Sequence, residues 1–335
     1  MGHVTNPFQE LRTRPPGLAS LPRMPPLQPL FKPQFPRTLR LGTTLVTTAL
    51  LAVTLLAPAG APATADPDVP IPSPGISPTD PVSRAKRLPA ARFKISTFNI
   101  LGSQHTAGRG GYGPGTKRAR ITARLIKRRD IDVIGLQEVQ EDQLRVLRRN
   151  LPGYTVWPGR QLGGAGVRLQ IVFRKSMFKL VDHGKIMTRF DRQTRPVPWV
   201  LLKSRLTGRK LYAIDIHNSP QGLEGERDSA TREEIGLIRR LRRHHRPVFV
   251  LGDMNEKEEW FCRVVGHTDL HSANGGQATR RSCDPPDRPL RIDWIMGGGR
   301  SVHFSGYREF DDARVRQASD HELLRAAVRI GPKRR

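Results

Sequence analysis

Six short apolar runs in the later part of the chain each end in, or carry, a side chain able to bind a metal ion or a phosphate. Phe93 to Phe98 alternates in polarity and then reaches Asn99, and Ile131 to Leu136 leads to Gln137 and Glu138. Leu211 to Ile216 leads to His217 and Asn218, and Val248 to Leu251 leads to Gly252-Asp253-Met254-Asn255. Ile292-Asp293-Trp294-Ile295 carries its acid inside the run, and Ala318-Ser319-Asp320-His321 stands just ahead of the apolar stretch Leu323 to Ile330. Apolar and β-branched runs of roughly four to eight residues bounded by Gly, Pro or Asn read as strands. A strand end is where a side chain leaves the core yet stays rigidly held. One polar strand end is ordinary and needs only solvent to explain it, whereas six together point to a shared site.

Two stretches carry the helical period. Lys117 to Arg129 spaces Ile121, Leu125 and Ile126 along one face. Thr231 to His244 opens with Thr231-x-x-Glu234, a capping-box pattern, and aligns Ile235, Ile238 and Leu241. Many strands with few helices between them predict an α+β layered domain rather than a regular βαβ alternation. Side chains two apart in extended chain point the same way, so Asp253 and Asn255 are expected to face one site together.

The front of the chain is of a different kind. Leu41 to Pro58 is free of charge, Arg37 and Arg40 precede it, and the small-residue run Ala61-Pro62-Ala63-Thr64-Ala65 follows. A positive flank, an apolar run and an Ala-x-Ala pattern predict a secretory signal segment over residues 1–65, cut after Ala65. The alternative is an uncleaved membrane anchor, since the run approaches the lower limit for a span. Cleavage would leave no stable membrane span. Residues 66–90 are proline-rich and read as an extended linker, and residues 91–335 as the folded domain. The two cysteines, Cys262 and Cys283, form no Cys-x-x-Cys pair, which argues against a thiolate zinc site. In an exported chain their natural state is one disulfide, with two buried thiols as the alternative.

The formal charge is +27, and removing residues 1–65 takes away six basic residues and one Glu, so +22 stays with the rest. A surplus of that size favours acidic partners such as nucleic acid, anionic lipid or wall polymers. A general bias towards arginine explains the charge equally well.

Taken in order, Phe98-Asn99-Ile100, Leu136-Gln137-Glu138-Val139, Ile216-His217-Asn218, Gly252-Asp253-Met254-Asn255, Arg291-Ile292-Asp293-Trp294 and Ser319-Asp320-His321 resemble the successive signatures of the endonuclease/exonuclease/phosphatase superfamily. That group includes deoxyribonuclease-I-like nucleases, abasic-site endonucleases, bacterial sphingomyelinases and inositol polyphosphate phosphatases. The resemblance covers about Arg92 to Ile330 and implies a four-layer α/β/β/α sandwich of two mixed sheets, with the site at one end. It implies Glu138 as the main metal carboxylate with Asn99 beside it, and Asp320 assisting with metal or water. Asp253 and Asn255 would position water and phosphate, His217 would meet a phosphoryl oxygen or the leaving group, and Asp293 would orient His321. The chain departs from the deoxyribonuclease-like pattern over Gly166 to Phe173, where those nucleases place a glutamate and this chain has no acid.

The implied chemistry suits these residue types. A hard cation offsets the negative charge that protects a phosphodiester from attack. Magnesium takes carboxylate and amide oxygens while keeping several waters, and manganese or calcium can substitute on the same logic. A histidine held by a carboxylate, here His321 with Asp293, can take a proton from water near neutral pH. Asp253 is the alternative base. No Gly-x-Ser-x-Gly nucleophile elbow occurs. Arg168, Arg174 and Lys175 are further candidates for phosphate contact, set against an ordinary surface role. The expected function is a secreted metal-dependent phosphodiesterase acting on extracellular nucleic acid. Alternatives are a sphingomyelinase-like or inositol-phosphate phosphoesterase, for which no long aromatic hairpin offers a lipid anchor, and a non-catalytic polyanion-binding protein of the same fold.

Overall fold

The computed structural model describes residues 88–106, 111–287, 291–299 and 301–332. The expected signal segment, and the linker as far as residue 87, lie outside the described residues. From Leu88 the chain forms β1 (Ala91–Asn99), α1 (Gly115–Arg128), β2 (Val133–Gln137), α2 (Glu141–Asn150), β3 (Tyr154–Trp157), α3 (Gly163–Gly166) and β4 (Gln170–Arg174). The long hairpin β5 (Phe178–Phe190) and β6 (Gln193–Ser204) follows, then β7 (Lys210–His217), α4 (Glu224–Arg242), β8 (Val248–Asp253), α5 (Glu258–His267) and β9 (Leu270–Ser272). The chain ends with β10 (Gln277–Ala278), β11 (Cys283–Asp284), β12 (Asp293–Gly298), β13 (Val302–Phe310), α6 (Ala313–Ala318) and β14 (Leu323–Ile330).

Two six-stranded sheets result, in the orders β13-β14-β1-β2-β4-β3 and β5-β6-β7-β8-β12-β9. Each is mixed, with one parallel pair near its middle: β1 with β2, and β7 with β8. The sheets bury their inner faces against each other. Phe93, Ile95, Val133, Ile171 and Phe173 from the first meet Val200, Leu211, Ala213, Phe249 and Leu251 from the second. The alternate residues of the first sheet, such as Phe98, Ile134, Leu136 and Val172, pack under α1, α2 and α6 through Ala119, Ala123, Ile126, Leu144, Leu147 and Val315. On the far side, α4 and α5 press Leu237, Ile238, Leu241, Trp260 and Val264 onto Ile214, Ile216, Val250 and Met296. Covering both faces of a strand removes its polar alternation, which is why β2 and β8 are buried at every position. The four-layer α/β/β/α sandwich expected above is the observed one.

A buried polar contact crosses between the middles of the sheets. Gln137 Nε2 donates to Asp215 Oδ1 at 2.6 Å, and Thr97 shares the Gln137 amide. Burial drives the Asp215 carboxyl well above the ordinary range. Gly135 makes room for it, because a Cβ at that position would lie 2.4 Å from Asp215 Oδ1.

Helix α4 starts earlier than its sequence pattern suggests. Thr231 and Glu234 lie about two turns inside it, so Thr231 caps nothing and its buried hydroxyl has no partner. Glu234 instead accepts from Trp260 Nε1 at 3.0 Å. Glu224 and Glu226 in the first turn complement the helix dipole. Cys262 and Cys283 are joined, with Cα atoms 5.5 Å apart, tying α5 to β11. Among the described residues no helix is long and apolar enough to cross a membrane.

Candidate active site

Strand register gathers the polar ends. In the first sheet Asn99 pairs with Gln137, and in the second His217 pairs with Asp253, which also faces Asp293 across the antiparallel β8/β12 pair. Parallel neighbours end at the same edge, so β1, β2, β7 and β8 deliver their last residues to one end of the sandwich, where β12 begins.

Asn99 is fully buried and joins the two sheets. Its Nδ2 donates to Glu138 Oε1 at 2.9 Å and to Asp253 Oδ2 at 3.0 Å, while its Oδ1 accepts from the Leu101 amide at 3.0 Å. Glu138 follows β2 with φ 61, a left-handed backbone that a residue with a side chain adopts only when its surroundings impose it. The turn swings the carboxylate off the strand line, where Gly102 N donates to Oε2 at 2.9 Å and His105 Nε2 stands 3.3 Å away. Burial alone would raise this carboxyl. Electrostatic attraction to the His217 ring in its protonated form, the Gly102 amide and the Asn99 amide overcome it and hold the group below the ordinary carboxylate range.

Asp253 sits between two imidazoles. Its Oδ2 lies 3.4 Å from His217 Nε2 and 3.6 Å from His321 Nε2, and its Oδ1 accepts from the Asn255 amide at 2.9 Å. His321 Nδ1 meets Asp293 Oδ2 at 2.7 Å. Burial opposes the charged imidazole, but Asp293, Asp253 and Asp320 push its pKa up to about 10. Burial likewise raises the Asp293 carboxyl, against the pull of His321. His217 goes the other way: burial lowers its pKa below that of a free imidazole despite Asp253 and Glu138. The two histidines therefore shift in opposite directions, His321 towards the charged ring and His217 away from it.

Ser319 donates to the Asn99 carbonyl at 2.7 Å and accepts from the His321 amide at 3.2 Å, which docks the segment before β14 onto the end of β1. Asp320 is exposed on the rim, within hydrogen-bond range of Ser319 Oγ at 3.2 Å. Among the described residues no hydrogen bond joins Asp320 to Glu138 or Asn99.

Asn255 is where the extended-chain expectation fails. Its φ of 50 turns the backbone left-handed directly after the strand, so Asp253 and Asn255 do not share a strand face. The Asn255 side chain donates to the Asn218 carbonyl at 2.8 Å and braces the loop behind His217. Four residues at or beside the site were not among the catalytic and metal candidates: His105, Arg168, Arg195 and Asn218. Arg168 was singled out in sequence only for phosphate contact. His105 and Arg195 belong to a turn and a hairpin with no sequence signal linking them to a site. At the strand that lacks the nuclease-type glutamate, Gln170 accepts from the Gly159 amide at 2.8 Å and serves the backbone. Among the described residues Asp253 is the sole carboxylate within ion-pair range of His217.

The donor set suits a hard divalent ion at Glu138, an ionised oxygen ligand with an amide beside it. Asp253, Asp293 and His321 also lie close enough together to be considered as a ligand group.

The endonuclease/exonuclease/phosphatase family model matches residues 96–321. No curated protein matches the chain in sequence. Solved structures of similar fold include an endonuclease/exonuclease/phosphatase family protein from Bacteroides thetaiotaomicron, 19% identical over 72% of this chain and 98% of that one, with a TM-score of 0.57. A mannosyl-6-phosphatase from the same organism is 18% identical over 70% of this chain and 99% of its own, with a TM-score of 0.55. TDP2 from D. rerio, in complex with a single-strand DNA product, is 17% identical over 71% and 99%, with a TM-score of 0.53. At these identities the likeness is one of fold.

Proposed function

The chain belongs to the endonuclease/exonuclease/phosphatase family, and we propose that it is an exported, divalent-metal-dependent phosphodiesterase that hydrolyses nucleic acid. At the level of the family it is a phosphoester hydrolase. The observation that carries the finer reading is the meeting of Glu138, Asn99, Asp253, His217, Asp293 and His321 at one end of the sandwich. The charge of +22 that stays with residues 66–335 supports a polyanionic substrate. The fold shared with a protein solved on a DNA product agrees with it.

Glu138 and Asn99, with Asp320 at the rim, would hold Mg2+, or Mn2+ or Ca2+ in its place, and the ion would offset charge on a phosphoryl oxygen. His321 already carries its proton, so it donates to a phosphoryl oxygen and leaves Asp253 to accept the proton of the attacking water. Asp293 holds His321 by its Nδ1 and sustains its charge. His217 donates a second hydrogen bond to the phosphate. Asn255 keeps the His217 loop in place through Asn218.

The test is release of acid-soluble nucleotides from DNA and from RNA with magnesium, abolished by chelation and by Glu138→Ala or His321→Ala. A metal-loaded protein inert on both polymers would sink the proposal. Export is tested separately: secreted material whose first residue is Asp66 supports it, and retention in the membrane fraction counts against it.

A further inference from the structure

A recess opens beside His217, lined among others by Ala165, Arg168, Thr188, Phe190 and Arg195. Three parts of the fold build it. The turn before β4 brings Arg168, the β5–β6 hairpin brings Thr188, Phe190 and Arg195, and β7 ends at His217. The Arg195 guanidinium lies 4.1 Å over the Phe190 ring, and the same ring meets His217 edge-on at 4.7 Å. Phe190 thus positions the arginine and the histidine on one wall.

The two arginines stand out for what they lack. Arg118 donates to the carbonyls of Gly113, Ile100 and Ala318. Arg174 meets Asp130 and Asp132, and Arg227 meets Glu224 and Glu256. Among the described residues the Arg168 and Arg195 side chains have no carboxylate within ion-pair range and no hydrogen-bond acceptor, although both are half-buried. Gathering two unpaired, partly desolvated like charges on one wall is costly unless an anion completes them. Burial, and in the case of Arg195 the charge of Arg168, lowers the pKa of both, against the more distant charges of Glu138 and Glu141 on Arg168 and of Asp191 and Glu138 on Arg195. The recess is open to solvent, so a group held there can stay attached to a larger molecule.

We propose that Arg168 and Arg195 form a subsite for a second, uncleaved phosphate of the substrate, beside the one handled at Glu138 and His217. This deepens the phosphodiesterase reading and rests on it. Planar guanidiniums match a phosphate with paired, charge-assisted hydrogen bonds. The recess would thereby select substrates carrying two phosphates in succession. That chemistry is met by the next diester along a strand or by a terminal phosphate.

The experiment compares kcat/KM on three thymidine substrates: TpT with one phosphate, pTpT with an added terminal phosphate, and TpTpT with a second diester. The wild type is expected to prefer the two-phosphate substrates. Arg168→Met and Arg195→Met should each cut that preference, as a ratio to TpT, by roughly 10- to 100-fold. Arg195→Lys should fall between. The larger ratio, for pTpT or for TpTpT, identifies the kind of phosphate received. Ratios that survive both Met substitutions overturn the subsite. If none of the three is cut, the nuclease reading fails separately, and metal-free binding of inorganic pyrophosphate decides the subsite. Binding by the wild type that is lost in the double Met variant upholds it, and equal or absent binding overturns it.

Discussion

Asn99 and Asp253, 154 residues apart in the chain, are joined by a 3.0 Å hydrogen bond that closes the two sheets over the site. The same Asn99 amide nitrogen also holds Glu138. One neutral side chain therefore keeps two carboxylates from facing each other unscreened, and the site's response to charge follows from that.

Asn99→Asp would place a third negative group among the carboxylates. Without metal the variant is expected to unfold at lower denaturant than the wild type, by about 1–3 kcal/mol, through the lost donor and the added repulsion. Millimolar magnesium should recover much of the loss. Urea titrations with magnesium and with chelator make the comparison, and a loss that magnesium leaves unchanged counts against a cation at this place.

Glu138 is the anionic oxygen that a divalent ion would grip. An ion bound at 100 times its dissociation constant stabilises a fold by about 2.7 kcal/mol. The wild-type melting temperature should rise with magnesium, and Glu138→Gln should remove most of that rise. Calorimetric scans over a magnesium series decide it, and an identical rise in both proteins would place the ion elsewhere.

Asp293 keeps the proton on His321. In Asp293→Asn the His321 titration should move down from about 10 towards an ordinary imidazole. Activity should fall roughly 10^2- to 10^4-fold, the range for a displaced acid–base group. Imidazole proton shifts followed by NMR against pH read the first effect directly. A His321 midpoint unmoved by the substitution would show that Asp293 does not set its charge.

Glu234 is buried under α5, and its pKa is raised to about 7 by that burial despite the Trp260 hydrogen bond. A carboxyl whose folded pKa lies above its unfolded value favours the fold while protonated. Its contribution is complete below about pH 4.5 and is lost as pH climbs through about 7. Glu234→Gln, which keeps an acceptor for Trp260, should remove on the order of 3 kcal/mol of that pH-dependent loss. Unfolding free energies at pH 5 and pH 8 test it; equal pH dependence in the two proteins would contradict it.

Much of the architecture was legible because its causes are local. The alternation from Phe93 to Phe98 announces a strand by its period, and the run Val248 to Leu251 announces one by its short, wholly apolar composition. The order of polar strand ends carried the family. Local pattern also misled. Thr231 and Glu234 make a capping box on paper, but packing under Trp260 and the acidic first turn at Glu224 extend α4 past them. Asn255 reads as a strand-mate of Asp253, but the chain turns left-handed there to brace Asn218.

Residue order along the chain was enough to place the polar ends of the site strands, the class of fold and the family. Folding in three dimensions was needed to show that Asn99 bridges Glu138 to Asp253, that the pKa values of His321 and His217 move in opposite directions, and that Arg168 and Arg195 share a wall with no carboxylate in ion-pair range. The division has a physical cause. Secondary structure follows from spacings of a few residues, whereas charge state and side-chain partnership follow from burial and from strand register between segments far apart in the chain.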